Sequence, residues 1–156
     1  MIEQEYIQSK LVQFAKRLGL IIEAKVSDVI KEKNLIATGD LRKSIKSEIE
    51  NRVWQTEITI YSDLPYSNVV HEGRKSGTMP PIMAIRDWIH VKRIIPRPKA
   101  SKNIKRVMSA YWAQTQLAWA IAKSIKAKGT KGVKFFDIAM SQAMSDIEKE
   151  ISRFSL

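Results

Sequence analysis

Apolar residues near the start of the chain recur at steps of three and four, the spacing of one helix face. They are Ile7, Leu11, Phe14, Leu18, Ile22, Val26 and Val29. Gly19 lies within this pattern, although glycine costs about 1 kcal/mol relative to alanine inside a helix. The pattern predicts a long amphipathic helix over residues 3–33. Asn34 suits its end, because asparagine tolerates the left-handed conformation found there.

After residue 40 the apolar spacing changes from the helical period to alternation. Thr38-Gly39-Asp40 breaks the first helix, and Asp40 is predicted to cap a short helical turn over residues 41–43. The alternating apolar, aromatic and small positions are Ile45, Ser47, Ile49, Trp54, Thr56, Ile58 and Ile60. They predict an antiparallel hairpin over about residues 44–61, with its turn at Asn51-Arg52.

Prolines and glycines divide the rest of the chain. Residues 63–79 are predicted to form a loop, and Pro81 is a start signal for a helix because proline loses no hydrogen bond at the first helical position. This helix presents Ile82, Ile85, Trp88 and Ile89 on one side, and Ile95-Pro96-Arg97-Pro98 ends it as an extended basic linker over about residues 93–103.

Two more helices are predicted from their periodicity. The first covers residues 102–126, with a stripe of Ile104, Met108, Tyr111, Thr115, Ala118, Ala122 and Ile125. After a basic turn at Gly129 and Gly132, the second begins near Phe136 and carries Met140, Ala143, Ile147, Ile151 and Phe154 on one face. The predicted fold class is α+β. A small antiparallel sheet packs with the long N-terminal helix and three further helices, in a single domain over residues 1–156.

Composition narrows the classes of function. The chain has 156 residues, 44% of them hydrophobic, and no cysteine, which excludes disulfides, Cys-based zinc sites and a Cys nucleophile. The acidic, polar start is unlike a signal peptide, and no apolar run reaches the roughly 18–20 residues of a membrane span. The protein is therefore expected to be made and kept in a cytoplasm, without a membrane partner.

The net charge of +11 is concentrated in one stretch of the chain. Residues 86–134 contain 13 Lys and Arg against the single acid Asp87, whereas the remaining 14 basic and 15 acidic residues nearly cancel. The densest part comprises Lys92, Arg93, Arg97, Lys99, Lys102, Lys105 and Arg106. Two interpretations stay open: sequence-blind contact with DNA phosphates, or a solvated loop that docks on an acidic protein. No helix-turn-helix or zinc-finger spacing accompanies the stretch.

No catalytic, metal or cofactor constellation is recognisable. His71-Glu72 is the only adjacent His–carboxylate pair, and a zinc site or hydrolytic triad needs more partners. Ser67 lacks a nucleophile-elbow motif, and Gly129-Thr130-Lys131-Gly132 lacks the full phosphate-loop pattern, so a turn is predicted there. We expect His71 to pack or to cap a helix, and the chain not to be an enzyme.

Tryptophans widen the apolar surface of the later helices. Trp112 and Trp119 flank the stripe of the helix predicted over residues 102–126, which indicates a protein–protein contact. Trp54, Trp88, Trp112 and Trp119 are expected to divide between the core and subunit contacts.

Four pieces of the sequence, in order, carry a family resemblance. They are Thr38-Gly39-Asp40-Leu41-Arg42-Lys43-Ser44-Ile45; Tyr66 with Val70-His71-Glu72-Gly73-Arg74-Lys75-Ser76-Gly77; Met79-Pro80-Pro81 leading to Ile85 and Trp88; and residues 120–132, with Gly129 and Gly132, followed by Phe135-Phe136. Together they resemble the neck, or tail-completion, proteins that join head to tail in long-tailed bacteriophages. One departure is Ser76, where the family has proline before the glycine. The candidate architectural residues are Thr38, Gly39, Leu41, Ser44, Tyr66, Glu72, Gly73, Gly77, Pro80, Pro81, Trp88, Gly129, Gly132 and Phe136.

The resemblance implies a structural virion protein, made in the bacterial cytoplasm and located at the head–tail junction. It implies a hexameric or dodecameric ring that connects the portal side to the tail and lets DNA pass. The expected partners are further copies of the chain, neighbouring head-completion and tail proteins, and the DNA in the channel. The competing hypothesis is a basic, sequence-nonspecific DNA-binding accessory protein that acts as a monomer or dimer.

Overall fold

The computed structural model describes residues 2–35, 38–52, 55–96 and 110–154, and its contacts divide the chain into two compact units. The first unit comprises Met1–His71 and Val133–Leu156, and the second comprises Glu72–Gly132. The second unit has 14 Lys and Arg against two acids, net +12, and the first has 13 against 14, net −1, which together give the +11 of the chain. We call them the basic unit and the balanced unit.

Helices dominate the fold, and the predicted α+β class is confirmed. The elements in chain order are α1 (Ile2–Glu32), α2 (Asp40–Lys43), β1 (Ile45–Arg52), β2 (Gln55–Ser62), α3 (Ser67–Glu72), β3 (Gly73–Arg74), α4 (Ile82–Val91), α5 (Ala110–Lys128), β4 (Thr130–Lys131) and α6 (Phe135–Arg153). Strands β1 and β2 form one antiparallel pair, and β3 and β4 form a second.

The long N-terminal helix is confirmed, and it ends as predicted. Asn34 has a φ of 52°, and the Leu35 N–H donates to the Ile30 carbonyl at 3.0 Å, the bond that closes a left-handed helix end. Gly19 has a packing role inside α1, because a Cβ at this position would lie 2.9 Å from Ser47 Oγ on β1. The glycine therefore lets the helix approach the hairpin closely.

The segment before the hairpin differs from its prediction in one respect. The short turn exists as α2, but Asp40 is its first residue and the N-cap is Gly39, with a φ of 91° and no side-chain cap. The Thr38 hydroxyl instead hydrogen-bonds the Asp40 carboxylate. The prediction that Asp40 caps α2 was therefore wrong, because its carboxylate is already hydrogen-bonded to the Thr38 hydroxyl.

The hairpin is confirmed, but its predicted turn is wrong. Asn51 and Arg52 belong to β1, where Arg52 pairs with Gln55, so the connection lies at residues 53–54, outside the described residues together with Trp54. Polar partners extend the strand: the Thr56 hydroxyl donates to Asn51 Oδ1 at 3.1 Å, and Arg52 lies 2.9 Å from a Glu50 carboxylate oxygen.

The core of the balanced unit lies where α1 and α6 pack together, with Leu41 and Ile45. Val26, Val29, Ile30 and Phe135 are fully buried. Burying such a side chain stabilises the fold by roughly 1.5–3 kcal/mol.

The predicted face of α6 is partly wrong. Phe135, Ala139 and Ala143 form its buried stripe, whereas Met140 and Ile151 are about half exposed. Met140 and Ile151 were placed on the predicted apolar face because of their spacing. Small alanines fit in the buried stripe because they let α6 approach its neighbours closely.

The basic unit pairs α4 with α5, and Ile89, Ala118 and Ala122 are fully buried among its described residues. Pro81 stands immediately before α4, as its N-cap. Helix α4 ends at Val91, earlier than the predicted stop at Ile95-Pro96, because Arg93 adopts a φ of 51° and the Ile94 N–H donates back to the Ile89 carbonyl at 3.0 Å. The predicted helix start at residues 102–109 and most of the linker lie outside the described residues.

Residues 63–79 are not the uninterrupted loop that was predicted. They contain α3 and β3, and β3 pairs with β4, so that Gly73 faces Lys131 and Arg74 faces Thr130. The Gly129–Gly132 segment, predicted as a turn, therefore includes a strand. Its partner lies more than 50 residues earlier in the sequence, and local patterns carry no signal for such pairing.

Candidate functional site

His71, the one candidate catalytic residue, lies largely buried at the start of α6 in the balanced unit. The Phe136 backbone N–H donates to His71 Nδ1 at 3.3 Å, and the His71 ring meets Phe135 edge-on, with centroids 5.2 Å apart. The first N–H groups of a helix have no partner within the helix, and Lys134 at the N-cap makes no side-chain capping hydrogen bond to them. His71 therefore packs and caps, as the sequence analysis expected.

Carboxylates near His71 do not assemble a metal site. One carboxylate oxygen of Asp137 lies 3.9 Å from His71 Nε2, and the Asp137 side chain is largely exposed. Over the described residues, no group of three or more His, Asp or Glu side chains could hold a metal ion.

The basic stretch from the sequence analysis is only partly visible. Lys92 is the C-cap of α4, and Arg93 follows it with an exposed side chain. Arg97, Lys99, Lys102, Lys105 and Arg106 lie outside the described residues. Within the described part of the basic unit, other cations are brought together by the fold.

These cations lie where β3 meets β4. A Cβ on Gly129 would lie 2.2 Å from the Arg74 carbonyl oxygen, and one on Gly73 would lie 2.4 Å from the Thr130 carbonyl oxygen. Both glycines have positive φ values, of 71° and 86°. The Gly77 N–H also donates to the Lys126 carbonyl at 2.7 Å. Residues 73–77 and 126–131 are therefore held in direct backbone contact.

Five basic residues belong to the two contacting segments: Arg74, Lys75, Lys126, Lys128 and Lys131. We call them the junction cluster. The sequence analysis missed it as a site, because the two segments are far apart in sequence. Only the overall excess of positive charge between residues 86 and 134 signalled part of it.

A second surface of the basic unit is apolar and aromatic. Trp112 and Trp119, 61% and 46% exposed, stand seven residues apart on α5 and therefore about two turns along one face. Trp88 on α4 is 42% exposed. None of these three tryptophans is a core residue. The predicted division of the tryptophans between the core and subunit contacts therefore places none of these three in the core.

An apolar groove runs between α4 and α5. It has a volume of about 290 Å³ and is lined by Pro80, Pro81, Ala84, Ile85, Trp88, Ile121 and Ile125. At the same pair of helices, Arg86 donates to the Tyr111 hydroxyl at 2.8 Å, and its guanidinium lies 4.9 Å from the centre of the tyrosine ring. This contact fixes α4 against α5 and leaves the groove open to solvent.

The motif residues of the balanced unit mostly shape the backbone. Leu41 is in the core, and the Ser44 hydroxyl donates to the Leu41 carbonyl at 2.8 Å and hydrogen-bonds the Ser62 hydroxyl at 2.7 Å. Partial burial raises the pKa of Tyr66, the Asp40 carboxylate raises it further, and a hydrogen bond with the Leu41 backbone opposes both. Tyr66 therefore lies against α2.

Comparisons of the chain with protein-family models, with curated proteins and with solved structures found no match. Among the described residues, none of the helices is long and apolar enough to span a membrane.

Proposed function

We propose that the chain is a structural subunit of the head–tail junction of a tailed bacteriophage, where copies assemble into a ring that joins the portal side to the tail and lets DNA pass. Its site of action is then the virion. Its partners are further copies of itself and the neighbouring head-completion and tail proteins.

The observation that carries the proposal is that the four resembling pieces contact one another in sequence-distant pairs. Within the balanced unit, partial burial and the Asp40 carboxylate of the first piece raise the pKa of Tyr66 in the second piece, and a hydrogen bond with the Leu41 backbone lowers it. Within the basic unit, β3, which belongs to the second piece, pairs with β4, which belongs to the fourth piece. Helix α4, which begins after the Pro80-Pro81 of the third piece, packs on α5. Pieces that are each weak as motifs thus form connected parts of the fold.

The aromatic face of α5 supports a role in assembly. Exposed tryptophans are costly in contact with water, and tryptophan is enriched among the residues that dominate protein interfaces. A ring arises when one patch of a subunit contacts a different patch on the next copy and the rotation closes. The Trp112–Trp119 face is our candidate for one of those patches.

Molar mass in solution tests the proposal. Light scattering over a range of concentrations, alone and with neighbouring head and tail proteins, should show a closed oligomer of defined mass. Trp112→Glu should raise its dissociation constant roughly tenfold or more, since losing an interface tryptophan commonly costs about 2 kcal/mol.

Gln142→Glu is the matched control, because it adds the same charge at an exposed polar position of α6. It should leave the mass unchanged. A chain that stays monomeric at every concentration and with its neck partners would contradict the ring.

The +12 charge of the basic unit favours one competing function, that of a sequence-nonspecific DNA-binding accessory protein. Such a protein would bind DNA as a monomer or dimer. The same mass measurement separates the two functions, because only the ring predicts a large closed oligomer.

A further inference from the structure

We propose that the junction cluster is a binding surface for the phosphate backbone of duplex DNA. It is distinct from the basic stretch of residues 92–106 that the sequence made conspicuous. It does not depend on the ring, because it rests on contacts within a single basic unit.

Backbone contact concentrates the charge. Residues 73–77 and 126–131 are held together by the β3–β4 pair and by the bond from Gly77 to Lys126. Lys75, Lys126, Lys128 and Lys131 are exposed, and Arg74 is partly exposed. Five positively charged residues therefore belong to two short segments that are in direct backbone contact.

Little within the basic unit neutralises these charges. Neither contacting segment contains an acid, and the two acids of the unit are Glu72 and Asp87. Asp87 already lies 3.3 Å from Arg86. No ion pair is found for any cluster member within the described part of the chain. The cluster thus needs an anion from elsewhere.

The residue types favour phosphates over an acidic protein. Protein interfaces are depleted in lysine and enriched in aromatic residues, methionine and arginine. The cluster is the reverse, with four lysines and one arginine, and the residues interspersed in the two segments are only glycine, serine, alanine and threonine. Lysine is a compact point charge that binds phosphate without demanding fixed geometry. The aromatic face of α5 has the composition of a protein interface, and the junction cluster does not.

Binding of this kind is insensitive to base sequence and strongly dependent on salt. Each neutralised phosphate releases condensed counterions, so the logarithm of affinity falls with the logarithm of salt concentration by about 0.9 per contact. Removing three contacts should reduce that slope by about 2.7.

Fluorescence anisotropy with labelled duplexes of two unrelated sequences tests the proposal, using the full chain at several salt concentrations. The variant is Lys126→Gln, Lys128→Gln and Lys131→Gln together. The control is Lys16→Gln, Lys33→Gln and Lys43→Gln, three exposed lysines of the balanced unit. Both triple variants lower the net charge from +11 by the same three units, and circular dichroism checks that each is folded.

The wild type should bind both duplexes equally. The junction variant should bind at least roughly tenfold more weakly with the reduced slope, and the control should bind like the wild type. Equal losses in both variants would overturn the proposal, since net charge alone would then explain binding. A wild-type chain that does not bind duplex DNA would also overturn it, and retention of poly-L-glutamate in that case would assign the cluster to an acidic protein.

Discussion

The two units of this chain each contain helices and one antiparallel pair of strands, but they differ in net charge and in the side chains that they expose. The balanced unit contains α1, α6 and the β1–β2 hairpin around a core that includes Val26, Ile30 and Phe135. Among its described residues, the basic unit has Ile89, Ala118 and Ala122 fully buried, and it exposes three tryptophans and the junction cluster. The described part of the basic unit therefore carries the surfaces on which both proposals rest.

This difference shows why the net charge of the whole chain is a poor guide to the charge of either unit. A value of +11 describes neither unit, since one is nearly neutral and the other carries +12. Repulsion among like charges opposes compact packing. The same charge is the basis of the proposed binding of anionic partners, which would relieve the repulsion.

Phe135→Ala should produce the largest loss of stability. The side chain is fully buried in the core of the balanced unit, and removing a buried phenylalanine costs about 3–5 kcal/mol. Urea denaturation measures the loss, and hydrogen exchange should show it in α1 and α6. A loss below about 1 kcal/mol would contradict the assignment of the core. Phe154→Ala, a partly exposed phenylalanine stacked on Phe14, is the milder control.

Gly129→Ala should cost roughly 2 kcal/mol and act on the basic unit. Its φ of 71° is unfavourable for alanine, and the added Cβ would collide with the Arg74 carbonyl. Hydrogen exchange should rise at residues 73–77 and 126–131 while α1 stays protected. Gly39→Ala is the control, because a Cβ there meets nothing within 4 Å although its φ is also positive, at 91°. Equal losses in the two variants would show that the β3–β4 contact is not as close as described.

Asp146→Asn should have the smallest effect, and the effect should depend on pH. Hydrogen bonds from Lys25 and Lys149 lower the pKa of Asp146 below 3.8, and the Lys25 pair, at 3.1 Å, joins α6 to α1. A carboxyl group whose pKa is lower in the folded than in the unfolded protein stabilises the fold at pH values above its unfolded pKa. This stabilisation is lost as the pH falls through the folded pKa.

Thermal unfolding at neutral and at strongly acidic pH checks this prediction. Asp146→Asn should lower the midpoint slightly at neutral pH and not in acid. Asp28→Asn, which removes an exposed charge near Lys31 within α1, should change it less. The same depression at both pH values would show that the carboxylate charge is not responsible.

Local sequence patterns predicted the elements whose partners are near in sequence. The helical spacing of apolar residues and the terminal Asn34 predicted α1 and its left-handed end. The alternation of apolar and polar residues predicted the hairpin. The predictions of the hairpin turn and of the Asp40 cap failed even though the polar groups involved are near neighbours in the sequence. Thr56 bonds Asn51 and extends β1, and the Thr38 hydroxyl removes Asp40 from a capping role.

The candidate sites were harder to predict where their residues are far apart in the sequence. His71 was correctly expected to cap or pack, although its partner in α6 is 65 residues away and could not be named in advance. The junction cluster was missed because β3 and β4 are each only two residues long and lie far apart in the sequence. The spacing of apolar residues also placed Met140 on the same face as Ala143, but Ala139 and Ala143 are buried and Met140 is about half exposed.

The proposed head–tail ring is tested most directly by electron cryomicroscopy of purified virions whose genome carries the gene for this chain. The account predicts a closed ring of copies between the portal side and the tail, with the Trp112–Trp119 face of α5 at a subunit contact. Virions that lack the chain, or that hold it anywhere except the head–tail junction, would contradict the account.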